Sequence, residues 1–210
     1  IAAGQSEISL VGGGYNGTRW DLVLLVRLGT TLLEPPFKPV WDRGPDGALT
    51  LAAMGAFVVI ESREHAEKRG AKPIARLASV QSSRNLRKSG ESEKTLRAEF
   101  DSVAASVKKD SAVVISGASG AEPATSEEKK VLAETGLPVR ATATHIGNGM
   151  EAQFLANIAL GCQAVRKGTL FPPSGSGDTG SAPAKGISQA LVTSVGHWRG
   201  EGLALIERID

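Results

Sequence analysis

Apolar residues along this chain come in short runs broken by polar and glycine-rich stretches, a pattern of buried strands alternating with helices. Residues 8–11 are apolar and run into Gly12-Gly13-Gly14, which predicts a buried strand ending in a loop. Residues 15–33 open polar and turn apolar over 22–33, predicting a helix packed under a loop. Pro35-Pro36, Pro39 and Gly44-Pro45-Asp46-Gly47 mark an irregular connection. Residues 49–61 read as two strands, the second over 56–60, and 62–69 as a short helix stopped by Gly70. Residues 74–80 predict a further strand. The polar stretch 81–94 has no apolar period and reads as an exposed loop.

From there the elements alternate: helix 93–108, strand 112–116, helix 126–134, strand 139–143, helix 149–167. Such alternation predicts an α/β fold with a mostly parallel sheet covered by helices. The Gly- and Ser-rich run 174–186 is a loop, and 188–207 reads as two apolar strands around 196–202, a terminal hairpin. There is no internal repeat.

Composition narrows the class. With 210 residues, 41% hydrophobic and 22% charged, the chain can bury a sizeable core. A formal charge of +2 gives no bulk electrostatic pull toward nucleic acid or a membrane surface. No apolar run approaches the roughly 20 residues that span a bilayer, and no charged-then-apolar leader is present. The single cysteine, Cys162, excludes an internal disulfide framework and a multi-cysteine metal site. These features fit a cytoplasmic, enzyme-like domain. The 25 glycines are close to twice the usual share of roughly 7% and favour tight turns and close backbone approach. The first residues, Ile1-Ala2-Ala3-Gly4, read as the end of a helix, so the protein is expected to extend upstream.

Several stretches in order resemble the β-ketoacyl-acyl-carrier-protein synthases of the thiolase fold. Residues 4–13, GQSEISLVGG, look like the family's "sGeaDvalvGG" strand. Pro36-Phe37, Asp42-Arg43 and Asp46-Gly47 resemble its "rPFD…rDGfv" connection. Residues 54–61, MGAFVVIE, match "geGAgvlvLE", and Glu64-His65-Ala66 with Arg69-Gly70-Ala71 match "EhAxaRGA". Residues 140–145, RATATH, sit where the family has "KSxxGH", and 194–197, SVGH, where it has the "SFGF" turn of the last hairpin. The match runs over nearly the whole chain. It implies a layered α-β-α-β-α architecture of two βαβαβαββ halves, with residues 1–80 ending the first half and 81–210 forming the second.

The resemblance also implies a chemistry: decarboxylative condensation of an acyl thioester with malonyl-carrier protein in fatty-acid biosynthesis. It requires a thiolate, two donors that polarise the malonyl thioester, and an oxyanion site. The family cysteine lies upstream of the "GG" strand, outside this chain. Cys162 falls mid-helix with Leu155, Ile158, Ala159 and Val165 on its side, a buried structural thiol. His145 matches the family's second histidine; ahead of a helix opening near Asn148-Gly149, its ring would stay neutral and donate to a thioester oxygen. Arg140 stands for the usual lysine and is expected to pair with Glu128 or Glu127 at the next helix start, orienting but not titrating. The alternative for both glutamates is a solvated, dipole-complementing helix start.

The family's first histidine is replaced. Its "AHGTxTxxgD" motif falls on Ala118-Ser119-Gly120-Ala121, which puts Ser119 at the histidine; a shifted alignment puts Gly117 there. His197 takes the place of the family's gating phenylalanine, whose backbone N–H serves the oxyanion; an exposed hairpin tip is the alternative. His65 lies on a charged surface helix and reads as solvated. There is no metal-ligand spacing, and neither a phosphate-loop nor a dinucleotide motif, so no cofactor is expected.

As partners, the resemblance implies an acidic acyl carrier protein and a homodimer paired through residues 6–11; Arg84, Arg87, Lys88 and Lys94 are candidate carrier contacts by charge alone, with a solvated loop as the alternative for each. It further implies that His145, Ser119 and the Gly196-His197 turn converge on one pocket. A non-catalytic partner of the chain-length-factor type is the competing reading. A thiolase acting on coenzyme A esters is a third, disfavoured by the lack of a "CxGGG" stretch.

Overall fold

The computed structural model describes residues 1–29, 31–85, 88–195 and 200–209. In chain order the elements are β1 (Ile8–Asn16), α1 (Trp20–Leu28), β2 (Ala53–Glu61), α2 (Arg63–Lys68), β3 (Arg76–Ser83) and α3 (Glu91–Val103). They continue with β4 (Ala112–Ser116), α4 (Ala124–Thr135), β5 (Val139–Ala141), α5 (Ala143–Ile146), α6 (Gln153–Lys167), β6 (Gln189–Val195) and β7 (Glu201–Glu207).

Two sheets result. β1 and β2 form an antiparallel pair, and the other five strands form a mixed sheet in the order β3-β7-β6-β4-β5. β4 is parallel to both β5 and β6, whereas β7 is antiparallel to β6 and β3. Alternation along the strands separates two cores. Ala112, Val114, Leu191, Leu203 and Leu205 face Val103 of α3 and Leu132 of α4. Val113, Ile115, Ala190, Val192, Ala204 and Ile206 face Ile158, Ala164 and Val165 of α6. The other side of α6 meets the β1–β2 pair, with partly buried Val58 reaching the same core. The layers are therefore α3/α4, five-stranded sheet, α6 and β1–β2, four successive layers of the α-β-α-β-α order.

The outer face of the β1–β2 pair is uncovered. Ile8, Leu10, Phe57 and Val59 share it by register, and each is exposed, Leu10 by 69% and Phe57 by 66%. Gly12 does not end the strand as its glycine run predicted. It lies opposite Phe57, and a Cβ there would sit 1.9 Å from the Phe57 ring, so the strand continues because glycine leaves room for the aromatic.

Other boundaries also moved. The helix predicted over 22–33 is α1, ending at Leu28, and none of its residues is buried, so it does not pack under a loop. The two strands of 49–61 are one, β2; residues 49 and 51 make only isolated bridges to Leu32 and Asn148. The strand predicted over 139–143 stops at Ala141 and gives way to α5. Residues 76–207 follow the order β-α-β-α-β-α-β-β when the one-turn α5 is left aside. The expected division between residues 80 and 81 falls inside β3, which pairs with β7.

Candidate functional site

β3, β4, β5 and β6 run in one direction, so their carboxyl ends at Ser83, Ser116, Ala141 and Val195 share one rim of the sheet. Open α/β sheets present their ligand loops at this rim. The loop after β4 carries Ser119 and the segment after β5 carries His145. The turn after β6, with Gly196 and His197, lies outside the described residues, as does Arg87.

Ser119 is buried. Its Oγ accepts the Ala121 amide at 3.1 Å, closing a local turn, and its carbonyl accepts Arg43 Nη1 at 3.1 Å. The next residue, Gly120, has φ +93°, and a Cβ on it would lie 2.2 Å from the Ala48 carbonyl and 2.4 Å from Arg43 Nη1. Backbone and guanidinium thus press directly on this loop.

His145 sits in the last turn of α5, exposed, its ring edge-on to Phe171 with centroids 5.3 Å apart. The helical stretch after it opens near Asn148-Gly149 as predicted: a 3-10 turn over Met150–Ala152, with Gly149 at its N-cap, runs into α6 at Gln153. Exposure leaves the ring free to donate to a ligand.

Arg140 and the glutamates do not pair. Arg140 is buried and donates to the carbonyls of Phe171, Val139, Thr179 and Gly180. Burial lowers its pKa, opposed by the charge of Asp178. Glu127 is also buried and not solvated; its carboxylate accepts the Gly90 amide at 2.6 Å and the Glu93 amide at 3.1 Å. It caps the N-terminus of α3 from a neighbouring helix. Glu128 is fully buried, and its Oε1 accepts the hydroxyls of Ser116, at 2.8 Å, and Thr193. Its Oε2 has no partner. Burial pushes this carboxyl up to about 7 against the two hydroxyl donors.

Cys162 is half-buried on α6, and burial raises its thiol pKa, which disfavours a thiolate. His65 is not simply solvated: its Nδ1 meets Glu61 Oε2 at 2.8 Å, and Arg69 and His65 hold the Glu61 carboxyl down at about 2.

Sequence reasoning missed the groups that tie the rim together. Ser116 Oγ accepts the Ala118 amide at 3.0 Å, and Thr193 Oγ1 accepts the Gly117 amide at 3.0 Å. Thr142 Oγ1 donates to Asn157 Oδ1 at 2.7 Å, Gln153 Nε2 donates to Thr142 Oγ1 at 2.9 Å, and Asn157 Nδ2 donates to the Ser116 carbonyl at 3.4 Å. All five of these side chains are buried. The available signal was a polar residue inside an apolar run, as with Thr193 after Ala190-Leu191-Val192. A cleft of about 340 Å³ opens nearby between Trp41 and the 122–126 turn, but neither Ser119 nor His145 lines it. Among the described residues no His, Cys, Asp and Glu cluster has metal-binding geometry, and no helix is long and apolar enough to cross a membrane.

No family model matches the chain, and no curated protein matches it. Solved structures do. A type II PKS acyl-carrier protein in complex with its ketosynthase aligns at 20% identity and TM-score 0.78, over 99% of this chain and 58% of that one. The ishigamide ketosynthase/chain length factor aligns at 17% and 0.77, over 99% and 55%. A ketosynthase domain of the oxazolomycin system of Streptomyces albus JA3453 aligns at 17% and 0.80, over 100% and 43%. The chain has the thiolase-like fold of the β-ketoacyl synthases. It spans about half the length of the ketosynthases it matches.

Proposed function

We propose that the chain works in the cytoplasm as part of a β-ketoacyl-acyl-carrier-protein synthase, condensing an acyl thioester with a carrier-bound malonyl unit in fatty-acid biosynthesis. The supporting observation is the shared rim, where the segment carrying exposed His145 leaves the sheet beside the Ser119 loop. A nucleophilic thiolate comes from outside these residues. His145 then donates to the malonyl thioester oxygen as carbon dioxide departs, and a backbone N–H of the 196–197 turn serves the oxyanion.

The β1–β2 pair belongs in this reading to a first half whose remainder covers Ile8, Leu10, Phe57 and Val59, and the run from β3 to β7 to the second, which moves the expected division from 80/81 to the start of β3. β1, hydrogen-bonded to β2 on one side among the described residues, supplies the edge at which two copies pair. Arg84, Lys88 and Lys94 are exposed around the end of β3 and offer positive charge to an acidic carrier.

In the protein that holds the nucleophile, His145→Ala should lower malonyl decarboxylation and β-ketoacyl formation by about 100-fold or more, leaving acyl transfer to the thiolate nearly unchanged. Equal losses in both steps overturn the reading.

One observation favours a second reading. Ser119, at the family's first histidine, is buried with its hydroxyl turned onto Ala121. A site lacking that donor suits a non-catalytic partner of the chain-length-factor type. Stable co-purification with an active ketosynthase whose turnover ignores His145→Ala would decide for it.

A further inference from the structure

The 117–120 loop is gripped from two sides by buried ionisable side chains, neither of which has an ionic partner among the described residues. On one side Arg43 donates from Nη1 to the carbonyls of Ser119 and Ala48, at 3.1 and 2.6 Å, and from Nε to that of Lys38. On the other, Glu128 Oε1 accepts the Ser116 and Thr193 hydroxyls, and those same two oxygens accept the amides of Ala118 and Gly117. Each hydroxyl has one proton to give, and both give it to the same carboxyl oxygen.

We propose that Glu128 is a positioning residue for the loop that carries Ser119, holding the Gly117 and Ala118 amides through the Thr193 and Ser116 hydroxyls. The grip replaces the ion pair anticipated with Arg140, so it acts through hydroxyl relays and not through charge. A neutral acid suits this geometry: Oε1 remains a carbonyl acceptor for both hydroxyls while Oε2 carries the proton. Ionisation would strengthen Oε1 as an acceptor and draw both hydroxyls, with their amides, toward it.

Among the described residues the surroundings supply no competing charge. β4 and β6, beneath Glu128, contain no ionisable side chain. On α3 and α4, Glu127 is engaged with the α3 amides, Arg97 with Glu93 and Glu134, and Lys130 with Glu93, while Glu99 is buried toward Glu201. On the 40–43 segment Arg43 holds carbonyls and Asp42 holds Ser176. Arg140 of β5 holds carbonyls as well. Among the described residues, burial raises the pKa of Glu128 and the two hydroxyls lower it.

The inference rests on the proposed function only in treating Ser119 as part of a ligand site, and its test does not need turnover. The amide signals of Gly117 and Ala118 in the isotope-labelled protein should move together with pH, with one midpoint at about 7. Glu128→Gln, which mimics the neutral acid, should abolish that movement and keep both amides protected from solvent exchange. Glu128→Met, matched in size but without an acceptor, should raise exchange of both amides roughly tenfold. Thr193→Val should free Gly117 alone and Ser116→Ala should free Ala118 alone, so the test survives if the methionine variant does not fold. Amides that titrate equally in Glu128→Gln, or that are untouched by both single-hydroxyl variants, overturn the proposal. A correct amide pattern without condensing activity in the assembled enzyme would retain it and sink only the functional reading.

Discussion

Glutamine at Glu128 should change how stability depends on pH more than it changes stability itself. In the unfolded chain this carboxyl titrates near its ordinary 4.5; in the fold burial raises it to about 7. Between these values the folded state binds the proton more tightly, so folding is favoured by protonation. The stabilisation is complete below about 4.5 and is lost as pH rises through about 7. At roughly 1.4 kcal/mol per pH unit, the interval of two to three units corresponds to ~3 kcal/mol. Burial raises Glu99 as well, so the useful quantity is a difference. Urea unfolding of wild type and Glu128→Gln, measured from about pH 4 to about pH 9, should give a wild-type-minus-variant stability that falls by ~3 kcal/mol. A flat difference, or one that rises with pH, would show that the carboxyl is neutralised by a partner and that the relay is misassigned.

Arg43→Met should cost about 3 kcal/mol in a chemical melt, since the Lys38, Ala48 and Ser119 carbonyls lose their charged donor; a loss below ~1 kcal/mol would refute the clamp on that side. Glu127→Ala should cost about 1 kcal/mol and selectively raise hydrogen exchange at Gly90 and Glu93, the two amides it caps. Val59→Thr on the open face of the β1–β2 pair should stay within ~0.5 kcal/mol of wild type, and a core-sized penalty would mean the face is already packed within this chain.

The fold was readable because its strongest signals are periodic. Strand 112–116 and the helix over 149–167 are an uninterrupted apolar run and an amphipathic stretch, and both appear nearly as predicted. Signals carried by single residues misled. Gly12 reads as a loop until Phe57, far along the chain, is known to lie across it. The apolar stretch 22–33 reads as buried, yet α1 exposes Trp20, Leu25 and Leu28, because burial depends on what lies opposite, and no described residue buries them. The site was less legible still. Ser119 and His145 are found by their place in motifs, but hydrogen-bond partners are not local in sequence: Glu128 reaches Thr193 over 65 positions, and Arg43 reaches Ser119 over 76.

That distance in sequence also bears on why a lost ion pair need not disorganise the rim. An arginine at 140 carries five N–H donors, and here it directs them to four carbonyls of the 171–180 segment and its own strand. Glu128, left without a cation in a fully buried place, could persist as a charge only at a large desolvation cost. Two hydroxyls at the ends of adjacent strands reduce that cost and in the same act anchor the amides that begin the Ser119 loop. Ser116 is the hinge of the arrangement, because its side chain answers to α4 through Glu128 while its carbonyl answers to α6 through Asn157. A disturbance at either helix therefore reaches the same loop, and the two helices lie on opposite faces of the sheet. Coupling of this kind predicts non-additivity: Asn157→Leu and Glu128→Met together should loosen the 117–118 amides by less than the sum of the two alone, because each removes support from a residue the other has already released. Strict additivity would mean that Ser116 transmits nothing between the faces.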